Sequence, residues 1–297
     1  MKTYRYALDR SPRKWICPRC GQKTFVRYVD TFSGEYVKDA RSGRCDRQIK
    51  CRYHLPPREA DLSGQGTCIK PVTVRPRRIC TLDIDPQPFY RWRSDGNLYR
   101  YLLGRGFARK DMERVWSQYL TGCSRHNGTV FWQRDLRGRI RTGKVIYYNL
   151  ADGHRVKRFS PVWVHTKVEL PPDWSLSQCL FGEHLLASGA CSDRVSLVES
   201  EKTAMVMSLL QPERTWLACG GRMNFGAYIL QALKGVETEV YPDIDAMEDW
   251  ALKAAELNRR WGFCLRLIHW HRDYANPSPT WDIADAMLEK QGHDASI

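Results

Sequence analysis

From residue 194 onward the sequence alternates short apolar runs with segments of helical period, and this pattern limits the possible fold more than any other feature. RVSLV is a short apolar run that ends at Glu199, and EKTAMVMSLL after it reads as a helix. TWLAC is the next strand, closed by Gly220 and Gly221, and FGAYILQAL reads as a second helix. TEVY is a third strand, ending at Pro242, Asp243, Ile244 and Asp245. AMEDWALKAAELNRRWG is a third helix with Met247, Trp250, Ala251, Ala254, Leu257 and Trp261 on its apolar face, and FCLRLIHW is a fourth strand. Alternation of this kind predicts an α/β fold, a parallel sheet with helices on its faces. Ligands of such sheets bind beyond the carboxyl ends of the strands. Glu199 and the Asp243/Asp245 pair fall at two of those ends. Three carboxylates converging there repel one another unless a hard divalent cation lies between them, and Mg2+ or Mn2+ suits an all-oxygen donor set. The alternative is that each acid separately favours a helix N-terminus.

The N-terminal segment carries a second constraint. Cys17-Pro18-Arg19-Cys20-Gly21 is a metal knuckle, two thiolates at the spacing that reaches one tetrahedral Zn2+. The second ligand pair comes from Cys45, Cys51 and His54. Cys45 with Cys51 is preferred because Gly43-Arg44-Cys45 looks like the start of a second turn, and Cys51 with His54 is the alternative. Between the knuckles, TFVRYVD and GEYVKDA alternate around Ser33 and Gly34, which predicts a β-hairpin and hence a zinc ribbon. A ribbon this small depends on its metal to fold. The other cysteines, Cys68 and Cys191 among them, are scattered and read as small buried hydrophobes. With no apolar leader at the N-terminus, eleven cysteines point to a reducing compartment, and the expected location is cytoplasmic. No apolar stretch is long enough to predict a membrane span.

Charge divides the chain. Residues 1–150 carry a net +19 and residues 151–297 a net −5, so a part that grips a polyanion is joined to a part with other work. Around the cysteines, many arginines and lysines are interleaved with Trp15, Phe25, Tyr28 and Tyr53, rings able to stack on unpaired bases. Residues 55–80 are rich in proline and glycine, carry Arg75, Arg77 and Arg78, and read as a linker. Residues 96–121 read as a small helical subdomain. From 129 to 168 the pattern alternates in the β manner, with turns at Arg137-Gly138 and Asp152-Gly153. Arg137, Arg139 and Arg141, two residues apart, would form one basic stripe on a strand, beside Trp132, Tyr147 and Tyr148 and with Lys144, either as a groove for DNA or as a solvated strand face. The expected organisation is a zinc ribbon over 1–57, linker and helical subdomain over 58–124, a basic β-rich region over 125–190, and the α/β domain over 191–297.

LVESEKTAMV followed by YPDIDAMEDW resembles the Toprim domain of bacterial primases, type IA and II topoisomerases and some nucleases. That resemblance implies that Glu199, Asp243 and Asp245 are catalytic and coordinate Mg2+ for phosphoryl transfer, with Asp282 as a further metal-binding acid and Asp285 as its rival. For both of these the alternative is a helix N-cap. GRCDRQIKCRYH, GTVFWQRDLRGRIRTGKVIYYN and LFGEHLL, together with LVESEKTAM, resemble primase-like Toprim proteins of bacterial mobile elements and phages, over most of the chain. The chain departs from replicative primases at Ile244, where Gly stands between the two aspartates, at Cys20, where His is usual, at Ser200, where Gly often follows the Glu, and in a shorter basic subdomain. The resemblance implies a primase that makes primers from nucleoside triphosphates on single-stranded DNA, with a helicase or another replication protein as partner. A Toprim nuclease, or a catalytically silent single-stranded-DNA-binding accessory protein, are the alternatives.

Overall fold

The computed structural model describes residues 5–9, 11–47, 51–57, 80–187, 193–274 and 277–294. The linker expected over 55–80, with Cys68, Arg75, Arg77 and Arg78, lies almost wholly outside the described residues, and Cys191 lies outside them too. The chain forms two compact units, residues 1–76 and 77–297.

The first unit is a small antiparallel sheet around four thiols. Strands β1 (Tyr6–Leu8), β2 (Phe25–Asp30), β3 (Gly43–Cys45) and β4 (His54–Leu55) lie side by side in chain order. The expected hairpin around Ser33 and Gly34 is present only as a turn and a single bridge between Val29 and Tyr36. The Asp30 carboxylate accepts the Phe32 and Ser33 N–H groups and holds that turn, while the long pairings of β2 go to β1 and β3. GEYVKDA is therefore not a full strand. Gly43 shows why β3 sits where it does: a Cβ there would lie 2.2 Å from the Val26 carbonyl oxygen and 2.4 Å from the Phe25 ring.

The second unit begins with a short helix α1 (Gln87–Arg91), followed by α2 (Asn97–Gly104) and α3 (Arg109–Tyr119). Helix α2 buries Leu98, Tyr99 and Leu102, and α3 buries Met112, Val115, Trp116 and Tyr119, at the i, i+3, i+4 spacing that gives each a single apolar face. Each fully buried side chain of this size is worth roughly 1.5–3 kcal/mol. An antiparallel sheet follows in the order β5 (Gly122–Cys123), β6 (Thr129–Arg134), β7 (Ile140–Ile146) and β8 (Val162–Trp163).

The α/β part has four strands: β9 (Val195–Val198), β10 (Thr215–Ala218), β11 (Glu237–Tyr241) and β12 (Cys264–Leu267). They are parallel and ordered β10-β9-β11-β12, as the alternation predicts. Helix α4 (Glu201–Leu210) follows β9, α5 (Met247–Trp261) follows β11, and α6 (Ile283–Asp294) closes the chain. FGAYILQAL is not a helix: turns over 226–230 and one 3-10 turn (Gln231–Leu233) replace it. Nine residues beginning Phe-Gly without a cap do not sustain a helix, and these turns already bury Ile229, Leu230 and Leu233. Phe131, Ile146 and Tyr148 of the antiparallel sheet region share one core with Trp116 and Tyr119 of α3, with Trp216 of β10 and with the buried face of α4. The helices and the two sheets of this unit are thus one packed body, which fixes what faces what around the site.

Candidate functional site

Among the described residues, one cluster of donors is close enough to hold a metal as it stands, and a second region gathers acids at one sheet edge. In the first unit the sulfurs of Cys17, Cys20, Cys45 and Cys51 lie within 4.8 Å of one another. The turn after the first knuckle passes through Gly21 at φ +66, where a side chain would be strained. His54 is committed elsewhere: its ring stacks on Tyr28, and Nε2 lies 2.8 Å from the Tyr28 hydroxyl. A donor set of four thiolates at this spread fits tetrahedral Zn2+. The rings expected to stack on bases are engaged within the ribbon. Phe25 is buried against the thiols, and Tyr53 packs edge-on against it at 5.6 Å. The Arg27 guanidinium lies 5.1 Å from the Trp15 ring.

In the second unit the acids gather at the carboxyl ends of the parallel strands. Glu199 follows β9, and Asp243 and Asp245 follow β11, next to β9 in the sheet. Ser200 caps α4, its hydroxyl accepting the Thr203 N–H at 3.1 Å. The Thr203 hydroxyl in turn donates to Asp282 at 2.6 Å. Asp282 and Asp285 form a reciprocal cap on α6: the Asp285 N–H donates to the Asp282 carboxylate at 2.9 Å and the Asp282 N–H to that of Asp285 at 3.4 Å. Both Asp282 oxygens therefore have protein partners, while its charge still acts on the acids around it.

The electrostatics show how crowded this edge is. Burial, then the charges of Asp282, Glu199, Asp245 and Asp285, push the Asp243 carboxyl up to about 8. Burial also raises Glu199, although the Arg222 N–H donating to its carboxylate opposes this. Asp285 is raised too, by burial and by Asp282. Burial would lower Lys202, but Asp282 and Asp285 outweigh it and hold the ammonium above its ordinary value. Hard oxygen donors that cannot all ionise unaided fit a divalent cation that keeps part of its water shell. Among the described residues, no three carboxylates approach one another as closely as the four thiols do.

Beside these acids lies a cleft of about 900 Å3. Lys144, Arg155, Lys157 and Trp163 line it from the antiparallel sheet region, and Glu199, Glu201, Lys202 and Asp282 from the α/β side. Asp243 and Asp245 are not among its lining residues. Lys144 crosses from β7 to make a buried ion pair with Glu201 at 2.6 Å and to donate to the Gly220 carbonyl at 2.8 Å. Sequence reasoning gives Glu201, Arg155 and Lys157 no role, and gives Gly220 only that of closing a strand. The second acid of Glu-Ser-Glu and the Gly-Gly after a strand were the available signals.

The expected basic stripe does not form. Arg137 lies in the β6–β7 turn, and only Arg141 of the three arginines lies on β7. Arg139 and Arg141 both bind Asp135, at 2.9 and 2.8 Å, and Arg141 also donates to Ser177 at 2.9 Å. Trp132 is wholly buried, packed on by Phe89 at 5.4 Å, and offers no face to a base. The turn residue Gly138 (φ +74) breaks the strand that would have aligned the arginines, and Asp135 ties down two of them. Lys144, instead of lying in an open groove, is buried in its ion pair.

Residues 96–244, half of the chain, match the model of a domain of unknown function, DUF6371. The chain belongs to this family. The DUF6371 match runs from α2 to the end of β11 and includes Lys144, Glu199 and Asp243. Residues 4–64 match a zinc beta-ribbon finger model. No curated protein matches the sequence. Among solved structures, the chain is similar to the primase fragment of the bacteriophage T7 primase-helicase protein, at 14% identity and a TM-score of 0.45, covering 95% of this chain and 96% of that one. It is similar to the E. coli primase catalytic core at 15% identity and a TM-score of 0.46, over 69% of this chain and 73% of that one. It is also similar to a DnaG primase catalytic domain bound to single-stranded DNA, at 14% identity and a TM-score of 0.44, over 71% and 76%.

Proposed function

We propose that this chain is a primase-type nucleotidyltransferase that uses Mg2+ or Mn2+ and nucleoside triphosphates on a single-stranded DNA template. The observation that carries this reading is the placing of Glu199, Asp243 and Asp245 at adjacent parallel strand ends beside a 900 Å3 cleft that Glu199 and Asp282 line together with Arg155 and Lys157. Acids and cations lining one cleft suit a polyphosphate carried with its divalent ion. Glu199, Asp243 and Asp245 would hold the divalent ion, with Asp282 shaping the field around them. When bound, that ion supplies charge neutralisation at the phosphates and orients the reacting oxygens. Arg155 and Lys157 bind the triphosphate, and the buried Lys144–Glu201 pair keeps the two walls in register. The four-thiolate ribbon and the net positive charge of the first 150 residues support template binding by the N-terminal half.

The deciding experiment incubates the full chain with single-stranded DNA, labelled nucleoside triphosphates and Mg2+ or Mn2+. New oligonucleotides that disappear in Glu199→Gln are the expected result. A shortened template with no new oligonucleotide makes the protein a nuclease, and unchanged template without product makes it a binding protein.

A further inference from the structure

The loop after β10 places one residue in contact with both ends of the acidic centre. Gly220 and Gly221 turn the chain at φ +79 and +142, and both N–H groups donate to the Glu199 main-chain carbonyl, at 2.9 and 3.1 Å. The next residue, Arg222, has its N–H on the Glu199 carboxylate side, where it favours the ionised form. Its guanidinium reaches the other way: Nη1 lies 3.4 Å from Asp245 Oδ2 and Nε 3.6 Å from Asp249 Oδ2. Lys144 is committed to Glu201 and Lys202 to Asp285, whereas Arg222 pairs with an acid of the proposed metal site. The pair is partly exposed, with 39% of the Arg222 and 64% of the Asp245 side chain accessible, so it is a weak and breakable contact.

We propose that Arg222 is the built-in counter-ion of the acidic centre: it holds Asp245 until a divalent cation takes that carboxylate, and the displaced guanidinium then binds the phosphates of the incoming nucleotide. This rests on the metal-dependent reading above. A guanidinium and a divalent cation on Asp245 repel each other, so binding of one weakens the hold of the other. The turn that carries Arg222 stays fixed by the Gly220 and Gly221 bonds to the Glu199 carbonyl, and both glycines line the cleft, so the freed side chain starts from the cleft rim. A planar fork of donors there suits a polyphosphate. Asp249 holds the guanidinium in its first position and is a positioning residue.

The test measures Mn2+ affinity by electron paramagnetic resonance, and separately the Mg2+-dependent binding of a fluorescent nucleoside triphosphate analogue, for the wild type, Arg222→Gln, Asp249→Asn and the double variant. Arg222→Gln should bind Mn2+ more tightly, by about two- to five-fold at low salt, the range an exposed ion pair allows, with the gain fading at high salt. The same variant should bind the nucleotide about tenfold more weakly, as expected for loss of one charge-assisted contact. Asp249→Asn should raise Mn2+ affinity in the wild-type background and leave it unchanged in the Arg222→Gln background, because it acts through Arg222. Equal Mn2+ affinity in the wild type and Arg222→Gln overturns the counter-ion role. Tighter Mn2+ with unchanged nucleotide binding overturns the hand-over to phosphate. No Mn2+ binding by the folded wild type overturns the metal-dependent reading itself.

Discussion

Asp243→Asn is the substitution whose sign is least intuitive. The Asp243 carboxyl is held at about 8, against an ordinary value of 3.8, by burial and by the acids around it. Between those two values the folded protein holds a proton that the unfolded chain has released, so stability falls as pH rises through this window. At pH 7 the penalty is up to about 4 kcal/mol, from roughly three pH units above the unfolded value at 1.36 kcal/mol each. Asparagine has a similar shape and carries no charge, so the variant should be more stable than the wild type at pH 7 to 8 and equal to it near pH 4. At about 2–4 °C per kcal/mol for a unit of this size, a melting-temperature gain of several degrees is expected. Adding Mg2+ should raise the wild type and narrow the gap, because a bound ion favours the ionised carboxylate. Thermal melts of both proteins from pH 4 to 8.5, with and without Mg2+, provide the check. A difference between the two proteins that does not change with pH, or a variant less stable throughout, refutes the account of a crowded, partly protonated acid cluster.

The remaining predictions concern the ribbon, the buried pair and the division of labour. The purified chain should contain about one Zn per molecule; Cys45→Ser should lose it, whereas His54→Ala should retain it, by metal analysis. Removing one partner of the buried pair, as in Lys144→Met or Glu201→Gln, should cost about 3–5 kcal/mol in denaturant unfolding, and the double variant clearly less than the sum. Glu199→Gln should abolish stabilisation by Mg2+ while leaving single-stranded DNA binding nearly intact. That binding should weaken steeply with salt, and a flat salt dependence would contradict the phosphate-contact account.

Local chemistry was enough to read most of the architecture. A knuckle of two cysteines two residues apart needs no tertiary information to suggest a metal, and alternating apolar runs with helical periods between 194 and 267 specify parallel strands because each pattern has only one way to bury itself. The same reading placed Glu199 and Asp243 at strand ends, since the end of an apolar run is visible in sequence. What it could not supply was the state of a charge. Arg139 and Arg141 look like a DNA-gripping stripe until Asp135, brought between them by the turn at Gly138, pairs with both. Trp132 looks like a stacking surface until Phe89 and the adjacent sheet bury it. Lys144 and Glu201 are 57 positions apart, and nothing local announces that they meet. Arg222 likewise becomes part of the acidic centre only because two glycines turn the chain back across Glu199. Period and spacing report which backbone segments form, because they act within one turn or one strand. Whether a charged or aromatic side chain is free or spent depends on partners that only the folded chain brings within a few ångströms.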